Sequence, residues 1–396
     1  MATYYVSKAG DDSDDGTTPA LAKLTIAGAL AHGSLTSGDT IEIIDEGSYN
    51  EGALSIAATN LTIKHTASNL GRPKIYGTGL GGSAATYAFT VSAAGATYQG
   101  LEISNYSSYL FNKVSSGYDT FSMSDCFVHD TVKIGSHNIS NSSVSDPTTI
   151  SQCVLYFENA GSECIRNNGY MEISNCLITS SNSTSSPSAV LIDYSNNGTA
   201  SFSTIINRGT DMTNPILRFA KAINCIVSGS GKGIASDDHT YNLVNVSSTN
   251  FRNFADGSDG SAGTGESDLE DEDPLFVDGD SVGSSVTIAP NYDLQSTSPA
   301  FNAGIAYDSI VVDITGSTRP FGASPDVGCF EFVQTWLDYA DEEEFPFSTD
   351  FTNNYYSNMN ANQKFRFLSN PKQVPFSRGV KGPATLRGRN TPYKAE

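Results

Sequence analysis

Two acidic runs are the densest groups of potentially reactive side chains in this 396-residue chain. One run holds Asp11, Asp12, Asp14 and Asp15, and the other places six acids within residues 266–273. Carboxylate oxygens are the ligands that Ca²⁺ prefers, but neither run fits the twelve-residue EF-hand loop, and acidic loops are commonly just solvated. We therefore predict no cofactor, and the one metal we consider is a structural calcium ion held by the four aspartates of the first run.

A second set of charged residues recurs at similar distances after a cysteine or its equivalent. Its members are Arg166, Asp193, Arg218 and Asp238. If the chain winds into coils that keep register, these residues form a charged stripe on one side of the fold. The alternative is a set of ordinary surface ion pairs, which contribute little to stability. The stripe has one acid per coil and no cluster of three, so it does not by itself define a catalytic site.

Other catalytic signatures are missing from the sequence. The five histidines have no metal-binding spacing, and no Ser-His-Asp motif, P-loop or GxGxxG context is present. A turn is the simpler explanation of Asp237-Asp238-His239. The sequence leaves open whether the protein is an enzyme.

An internal repeat indicates the elements that must position these residues. Its copies are short apolar and β-branched bursts around Cys126, Cys153, Cys176 and Cys225, with Thr204 in the cysteine's place in one further copy. Steps of 21 to 28 residues separate the copies, which is too short for a βαβ unit. One strand cannot bury its own apolar face, whereas stacked copies can, so the repeat predicts a solenoid.

The predicted architecture is all-β, a parallel β-helix in which equivalent residues stack about 4.8 Å apart. The repeated cysteines then form an inward column of small side chains. The alternative is an antiparallel sandwich, which requires tight Asn-Gly hairpins, and only Asn168-Gly169 and Asn197-Gly198 offer them.

Composition excludes several classes of function. The net charge of −21 argues against a main body that grips nucleic acid or an anionic membrane. No apolar run approaches the roughly 20 residues of a membrane span. Residues 1–8 lack the pattern of a secretory signal, and the six cysteines lack CxxC spacing, which together predict reduced thiols in a protein folded in a cytoplasm.

Motifs at the two ends of the chain match a known pattern. The N-terminal part reads as a strand at Tyr4-Tyr5-Val6-Ser7, the acidic turn, and a short helix from about Leu24 to Leu30 that would cap the open end of an apolar cylinder. The later motifs are Asp273-Pro274-Leu275-Phe276, Ser298-Pro299-Ala300-Phe301-Asn302-Ala303-Gly304 and Pro325-Asp326-Val327-Gly328. This order resembles right-handed parallel β-helix proteins of the pectate-lyase-like superfamily. The resemblance implies the fold but not the chemistry, because polysaccharide lyases and phage surface proteins share these motifs.

The same resemblance suggests one chemistry. Lyases that resemble this fold pair a calcium-bound carboxylate cluster with a Lys or Arg that removes the proton next to a uronate carboxyl group. By that resemblance, the stripe of Arg166, Asp193, Arg218 and Asp238 is the candidate catalytic set.

The C-terminal part of the chain has a different character. Residues 361–396 hold eight bases and one acid, and eleven aromatic residues lie between Trp336 and Tyr393. A disordered tail is usually poor in aromatic residues, so we predict an arm that docks onto another subunit. Its candidate contacts are Trp336, Phe345, Phe347, Phe365, Arg366, Phe367, Arg378, Arg387 and Arg389. The alternatives are a tail that folds back on its own acidic β-helix, and nucleic-acid binding, which the wide spacing of the bases disfavours.

These observations predict three segments: an N-terminal cap and first coil at 1–60, a β-helix at 61–334, and an extended arm at 335–396. Our functional hypothesis is a bacteriophage virion protein, either a tail fibre or spike component or a capsid decoration protein. It would present a rigid β-helix to host-surface carbohydrate and bind other virion proteins through the arm, with a trimer as the oligomer that the resemblance suggests. The alternatives are a polysaccharide lyase or hydrolase on the same scaffold and an exported bacterial surface protein that binds carbohydrate.

Overall fold

The computed structural model of the chain is a right-handed parallel β-helix built from three sheets. It describes residues 1–65, 71–77, 86–113, 120–135, 148–158, 164–167, 170–181, 190–193, 198–209, 215–236, 238–247, 250–252, 267–277 and 292–332. Every pair of neighbouring strands within the three sheets is parallel. The predicted all-β fold class is therefore confirmed, and the antiparallel sandwich is wrong.

Sheet A has ten strands, and each later strand pairs with the one before it along the axis. They are β1 (Thr3–Val6), β2 (Thr40–Ile43), β5 (Thr62–His65), β8 (Ala96–Gln99), β10 (Phe121–Ser124), β12 (Thr148–Ser151), β15 (Met171–Ser174), β18 (Thr199–Ser201), β21 (Lys221–Ile223) and β24 (Asp238–Thr240).

Sheet B follows sheet A in each turn of the chain and holds twelve strands. They are β3 (Ser48–Asn50), β4 (Leu54–Ile56), β6 (Lys74–Tyr76), β7 (Tyr87–Val91), β9 (Glu102–Lys113), β11 (Phe127–Gly135), β13 (Val154–Glu158), β16 (Leu177–Ser181), β19 (Thr204–Asn207), β22 (Ile226–Gly229), β25 (Leu243–Val246) and β27 (Leu269–Glu270). Sheet C has five strands: β14 (Ile165–Asn167), β17 (Leu191–Asp193), β20 (Pro215–Arg218), β23 (Lys232–Ala235) and β26 (Phe251–Arg252).

The interior of the β-helix consists of columns of like side chains, because strand residues alternate between the two faces of a sheet. In sheet A, Ile41, Ile63, Tyr98, Met123 and Ile150 are paired in register from strand to strand and are at most 1% exposed. No single strand has enough apolar surface to form a core, so the stacking of the columns supplies it.

The repeated cysteines lie in one such inward column. Cys126, Cys153, Cys176 and Cys225 are free thiols, each buried to 1% exposure or less. The first residue of each following strand donates its backbone N–H to the carbonyl of the cysteine one turn before it, as Val154 does to Cys126 and Leu177 does to Cys153. The predicted cysteine column is confirmed, with one correction: Ser203, not Thr204, takes the cysteine's place in the intervening turn, since Leu177 pairs with Thr204.

The corner between sheets A and B contains one left-handed residue in the four turns that hold the column cysteines. Asp125, Gln152, Asn175 and Asn224 have φ between 50° and 54°, and each precedes a column cysteine. Asn and Asp tolerate this conformation better than most residues because their short polar side chains bond locally. In these turns only two residues, the left-handed residue and the cysteine, separate the strand of sheet A from the strand of sheet B.

The N-terminal end is closed by the predicted short helix. The helix α1 (Ile26–Leu30) follows a 3₁₀ turn at Pro19–Leu21, and its Ile26 and Ala29 side chains are fully buried. The buried Glu51 carboxylate accepts the first helical N–H groups, from Ile26 and Ala27, both at 2.7 Å. No helix among the described residues is long and apolar enough to cross a membrane.

The closing segment, described at residues 271–277 and 292–332, packs against the outer face of sheet B. Tyr292 and Cys329 form a buried cluster with Tyr156, Leu177 and Ile206. A second cluster joins Leu294, Ala300 and Val327 to Ile226 and Leu243. Both clusters contain late strands of sheet B, so the closing segment covers the apolar outer positions of those strands. The proposed arm, residues 335–396, lies outside the described residues, and the segment boundaries stay a prediction.

Candidate functional site

The structure brings three of the four predicted stripe residues onto sheet C. Arg166 pairs with Ile192, and Ile192 pairs with Arg218, so the two arginines occupy one register column two strands apart. Asp193 pairs with Asn167 in the adjacent column. The column continues through Ala235 to Arg252, a residue that the spacing from the cysteines did not predict as a member of the stripe. Strand order, not residue count, defines this column.

Asp238 does not join that stripe, and its predicted position is corrected. It begins the last strand of sheet A and forms an ion pair with Lys221, 3.1 Å from Nζ to Oδ2. The reason is that turns differ in length. Only 17 residues separate Cys225 from its column equivalent Asn242, against 27 between Cys126 and Cys153. A count of 13 residues from Cys225 therefore passes sheet C and already reaches the next strand of sheet A.

The carboxylates of the N-terminal acidic turn bond to their own loop. Asp11 accepts the N–H and hydroxyl of Ser13, and Asp15 accepts those of Thr17, all within 2.9 Å. These bonds lower the pKa of both aspartates. Asp12 accepts from Thr25 at the start of α1. Calcium binding by this turn, which also includes Asp14, stays a prediction.

The second acidic run contributes a buried contact. Asp268 forms a hydrogen bond with His239, 2.5 Å from Oδ2 to Nδ1, and its other oxygen accepts the N–H of Asn242 at 2.6 Å. His239 ends the inward column of sheet A and is 4% exposed. Within the described part of the chain, no three His, Cys, Asp or Glu residues are grouped so as to hold a metal ion.

The outer face of sheet A carries a different group of polar side chains, which we call the tyrosine–lysine cluster: Tyr170, Glu172, Lys221, Asp238 and Tyr307. Glu172, Thr199, Lys221 and Asp238 are paired in register on four consecutive strands. Lys221 lies two strand spacings from Glu172, which corresponds to about 9.6 Å along the axis. Register therefore places a carboxylate, a hydroxyl, an ammonium and a second carboxylate in one line.

Two tyrosines from outside that line complete the cluster. The Tyr170 hydroxyl donates to Glu172, 2.5 Å from Oη to Oε1. The Lys221 ammonium lies 5.5 Å from the ring centroid of Tyr307, which belongs to the closing segment. That segment is held at this corner because Asn224 bonds to Ile305 through both of its side-chain polar atoms.

The electrostatics of the cluster keep its donors protonated. The hydrogen bond to Glu172, burial and the neighbouring charges raise the pKa of Tyr170 to about 12. The hydrogen bond to Asp238 raises the pKa of Lys221. At neutral pH the cluster therefore presents a phenol donor, an ammonium donor and aromatic rings beside two carboxyl groups. These are groups that bind polyols through hydrogen bonds and ring stacking.

The cluster could not be found from residue spacing alone. Glu172 and Lys221 are 49 residues apart in the sequence, and the intervening turns have unequal lengths. Tyr307 reaches the site only because the closing segment folds back onto an earlier corner. The predicted arm contacts, from Trp336 to Arg389, lie outside the described residues.

Comparisons with known proteins identify the scaffold. No protein family model matches the chain, and no curated protein matches its sequence. Among solved structures it is similar to a pectate lyase, Pel9A, with 14% identity and a TM-score of 0.50 over 84% of this chain and 97% of that chain. A rhamnogalacturonan lyase shows 12% identity and a TM-score of 0.44 over 75% of this chain and 96% of the other.

A pectin methylesterase from Aspergillus niger shows 17% identity and a TM-score of 0.39 over 67% of this chain and 90% of the other. The likeness to Pel9A identifies the fold as a right-handed parallel β-helix of the pectate-lyase-like type. At these identities the likeness concerns the fold alone.

Proposed function

We propose that this protein binds polysaccharide on the outer face of sheet A, with the tyrosine–lysine cluster as its main contact. The observation that carries the proposal is the alignment of Glu172, Lys221 and Asp238 on one line of the β-helix, flanked by two tyrosines. A sugar ring offers hydroxyls to the charged groups and C–H faces to the rings. The rigid sheet holds these groups in place before the ligand arrives, which lowers the entropy cost of binding.

A glycan-binding screen with the full-length chain tests this proposal. Wild-type protein should bind one class of polysaccharide, and Tyr307→Ala should reduce that binding by about tenfold or more, since it removes the ring beside Lys221. The matched control is Tyr76→Ala, which removes a half-buried outward tyrosine from sheet B. Equal loss in both variants, or binding by neither wild type nor variants, contradicts the proposal.

A second candidate function is eliminative cleavage of a uronate-containing polysaccharide on sheet C. The specific observation in its favour is the register column that contains Arg166 and Arg218. One arginine, in its neutral guanidine form, would accept the proton next to the uronate carboxyl, a C=C bond would form as the glycosidic C–O bond breaks, and the leaving oxygen would take up a proton from solvent. Ultraviolet absorbance of the unsaturated product reports this reaction, and Arg166→Ala and Arg218→Ala should abolish it while Lys64→Ala on sheet A should not.

The biological setting that we propose is a bacteriophage virion, with the basic and aromatic C-terminal arm as the attachment to other virion proteins. Support comes from the sequence: eight bases within residues 361–396 follow a chain of net negative charge. Opposite charge favours docking onto an acidic partner surface. In a phage that encodes the chain, a full-length variant with Arg378, Arg387 and Arg389 changed to Glu should be missing from purified particles, whereas the same three changes to Lys should be retained.

A further inference from the structure

Sheet A carries a row of hydroxyl side chains ahead of the tyrosine–lysine cluster. Thr3, Thr40, Thr62, Thr97, Ser122 and Thr149 are paired in register on six consecutive strands, immediately before Glu172. Each is half-buried, in contrast to the fully buried residues beside it in the interior columns. The row therefore repeats a hydroxyl about every 4.8 Å along an outward surface.

A second outward column widens this row in the middle of the sheet. Gln99, Ser124 and Ser151 are paired in register two positions along from Thr97, Ser122 and Thr149. Across these three strands the six outward positions carry five hydroxyls and one amide, and no charge. Two of the hydroxyls bond to each other along the axis: Thr149 Oγ1 donates to Ser122 Oγ at 2.9 Å. We call these six positions the hydroxyl face.

The hydroxyl face is regular along the axis. Strand pairing runs through sheet A without a register shift, whereas the pairing of β11 in sheet B shifts on both sides. On the sheet B side, the corners after β8, β10 and β12 are two residues long, and other segments bond to two of them: Arg72 Nε donates to the Asp125 carbonyl at 2.9 Å, and Gln152 Nε2 donates to the Asp313 carbonyl at 3.5 Å. A regular array of hydroxyls suits a partner whose own hydroxyls repeat at regular intervals.

The charge of the chain and of the hydroxyl face indicates whether the partner is charged or neutral. The chain as a whole carries a net charge of −21, which repels a polyanion, while the hydroxyl face itself is uncharged. An uncharged face forms its hydrogen bonds without desolvating an ion, and so fits a neutral partner that also presents regular hydroxyls.

We propose that the hydroxyl face binds the surface of a neutral, ordered polysaccharide, in which chains are packed side by side. This proposal rests on glycan binding at the tyrosine–lysine cluster and names its ligand class: a neutral, insoluble polymer and not a soluble acidic one. The cluster would contact one chain at the edge, and the hydroxyl face would contact the packed surface beyond it.

Depletion of the full-length protein from solution by suspended polysaccharide tests the proposal. The probes are microcrystalline cellulose and insoluble chitin as neutral polymers, soluble cello-oligosaccharides and chito-oligosaccharides, and polygalacturonate as a polyanion. Wild-type protein should be depleted by one of the neutral solids and not by polygalacturonate. The double variant Ser122→Ala/Thr149→Val keeps the side-chain shapes and removes two hydroxyls, so it should bind that solid about tenfold more weakly.

Two control variants show whether weaker binding is caused by the loss of hydroxyls from the hydroxyl face. Thr149→Ser retains the hydroxyl and should bind like wild type, and Ser48→Ala removes an exposed hydroxyl from the outer face of sheet B and should also bind like wild type. Thermal unfolding of each variant shows whether the β-helix is intact. A further variant, Ser124→Arg, places a bulky charge on the face and should abolish depletion by the solid without changing the melting temperature.

The outcomes distinguish this proposal from the proposed function. If a soluble glycan binds and Tyr307→Ala removes that binding, while the double variant binds the solid as well as wild type, the cluster binds glycan and the hydroxyl face does not. Preference for polygalacturonate overturns the neutral ligand class. Self-association of wild-type protein that Ser124→Arg abolishes identifies the face as a contact between copies of this chain, and absence of any glycan binding overturns both proposals.

Discussion

Asn224 and Ile305 join a corner of the β-helix to the closing segment through two reciprocal hydrogen bonds. The Asn224 side chain donates from Nδ2 to the Ile305 carbonyl at 2.8 Å, and its Oδ1 accepts the Ile305 N–H at 3.0 Å. Asn224 itself has a φ of 54°. One residue therefore provides both the left-handed corner of its own turn and the contact that holds Tyr307 beside Lys221.

The two roles of Asn224 can be separated by substitution. Asn224→Gly keeps the left-handed backbone and removes both hydrogen bonds, so it should lower the free energy of unfolding by about 1–3 kcal/mol. Asn224→Ala loses the bonds and adds roughly 1–2 kcal/mol of backbone strain. Urea unfolding measures both. Asn105→Gly is the control, since Asn105 is also left-handed but its side chain bonds, among the described residues, only to adjacent Ser104. Equal stability of Asn224→Gly and wild type contradicts this role of Asn224.

The inward cysteine column predicts a size limit. Ser203 already occupies one position of the column, where its hydroxyl donates to the Ser201 carbonyl at 2.9 Å, and Cys176 Sγ faces the equivalent Ser174 carbonyl at 3.2 Å. Cys176→Ser should therefore cost less than about 1 kcal/mol, because its hydroxyl has an acceptor. Cys176→Leu should cost about 1–3 kcal/mol, because it overpacks a filled interior. Thermal unfolding measures the stability of both variants. A larger loss of stability in Cys176→Ser than in Cys176→Leu contradicts the packing of the cysteine column.

A buried group of acids predicts that the closing segment weakens as pH rises towards neutrality. Glu331 contacts Arg319, 3.3 Å from Oε2 to Nη1, and the nearby Asp313 and Asp326 are also buried. Burial, with the neighbouring acids, raises the pKa of Glu331 to about 7, and burial raises the pKa of Asp326 to about 6. Arg319 opposes both shifts, and three carboxyl groups share this one guanidinium.

The sign follows from linkage. A carboxyl group with a raised pKa in the folded state contributes its full stability below its unfolded pKa and loses it as pH rises through its folded pKa. The melting temperature should therefore fall as pH rises from about 4 to about 7. The Asp326 shift of roughly two units corresponds to about 3 kcal/mol. Glu331→Gln should flatten this pH dependence, and a melting temperature that rises through the same range contradicts the assignment.

The phenol of Tyr170 should contribute to glycan binding separately from its ring. Tyr170→Phe keeps the ring and removes the hydrogen bond to Glu172, so binding should weaken about threefold to tenfold. Tyr170→Ala removes both and should weaken binding further. Calorimetric titration with the glycan found by screening measures both. If phenylalanine and alanine bind like wild type, Tyr170 is not part of the site.

The sequence predicted the features that repeat locally. The cysteine column, the parallel solenoid and the helix near Leu24 to Leu30 follow from residue patterns within one or two turns, and the structure confirms them. The register of strands across turns of unequal length could not be counted from the sequence. For that reason the sequence placed Asp238 beside the residues of sheet C, and it placed Thr204 at the position in the cysteine column that Ser203 occupies. Long-range packing left no local pattern in the sequence either. Asn175 bonds to the Val312 carbonyl, 137 residues away, and the Tyr307 ring lies beside Lys221, which is also distant in the sequence.

A crystal structure of the protein with an oligosaccharide of the polymer it binds is the most direct test of the account. We predict that the sugar lies on the outer face of sheet A, stacked on Tyr307 and within hydrogen-bonding distance of Glu172 or Lys221. A sugar found instead on sheet C, along the column of Arg166 and Arg218, would contradict the proposed site and favour the lyase.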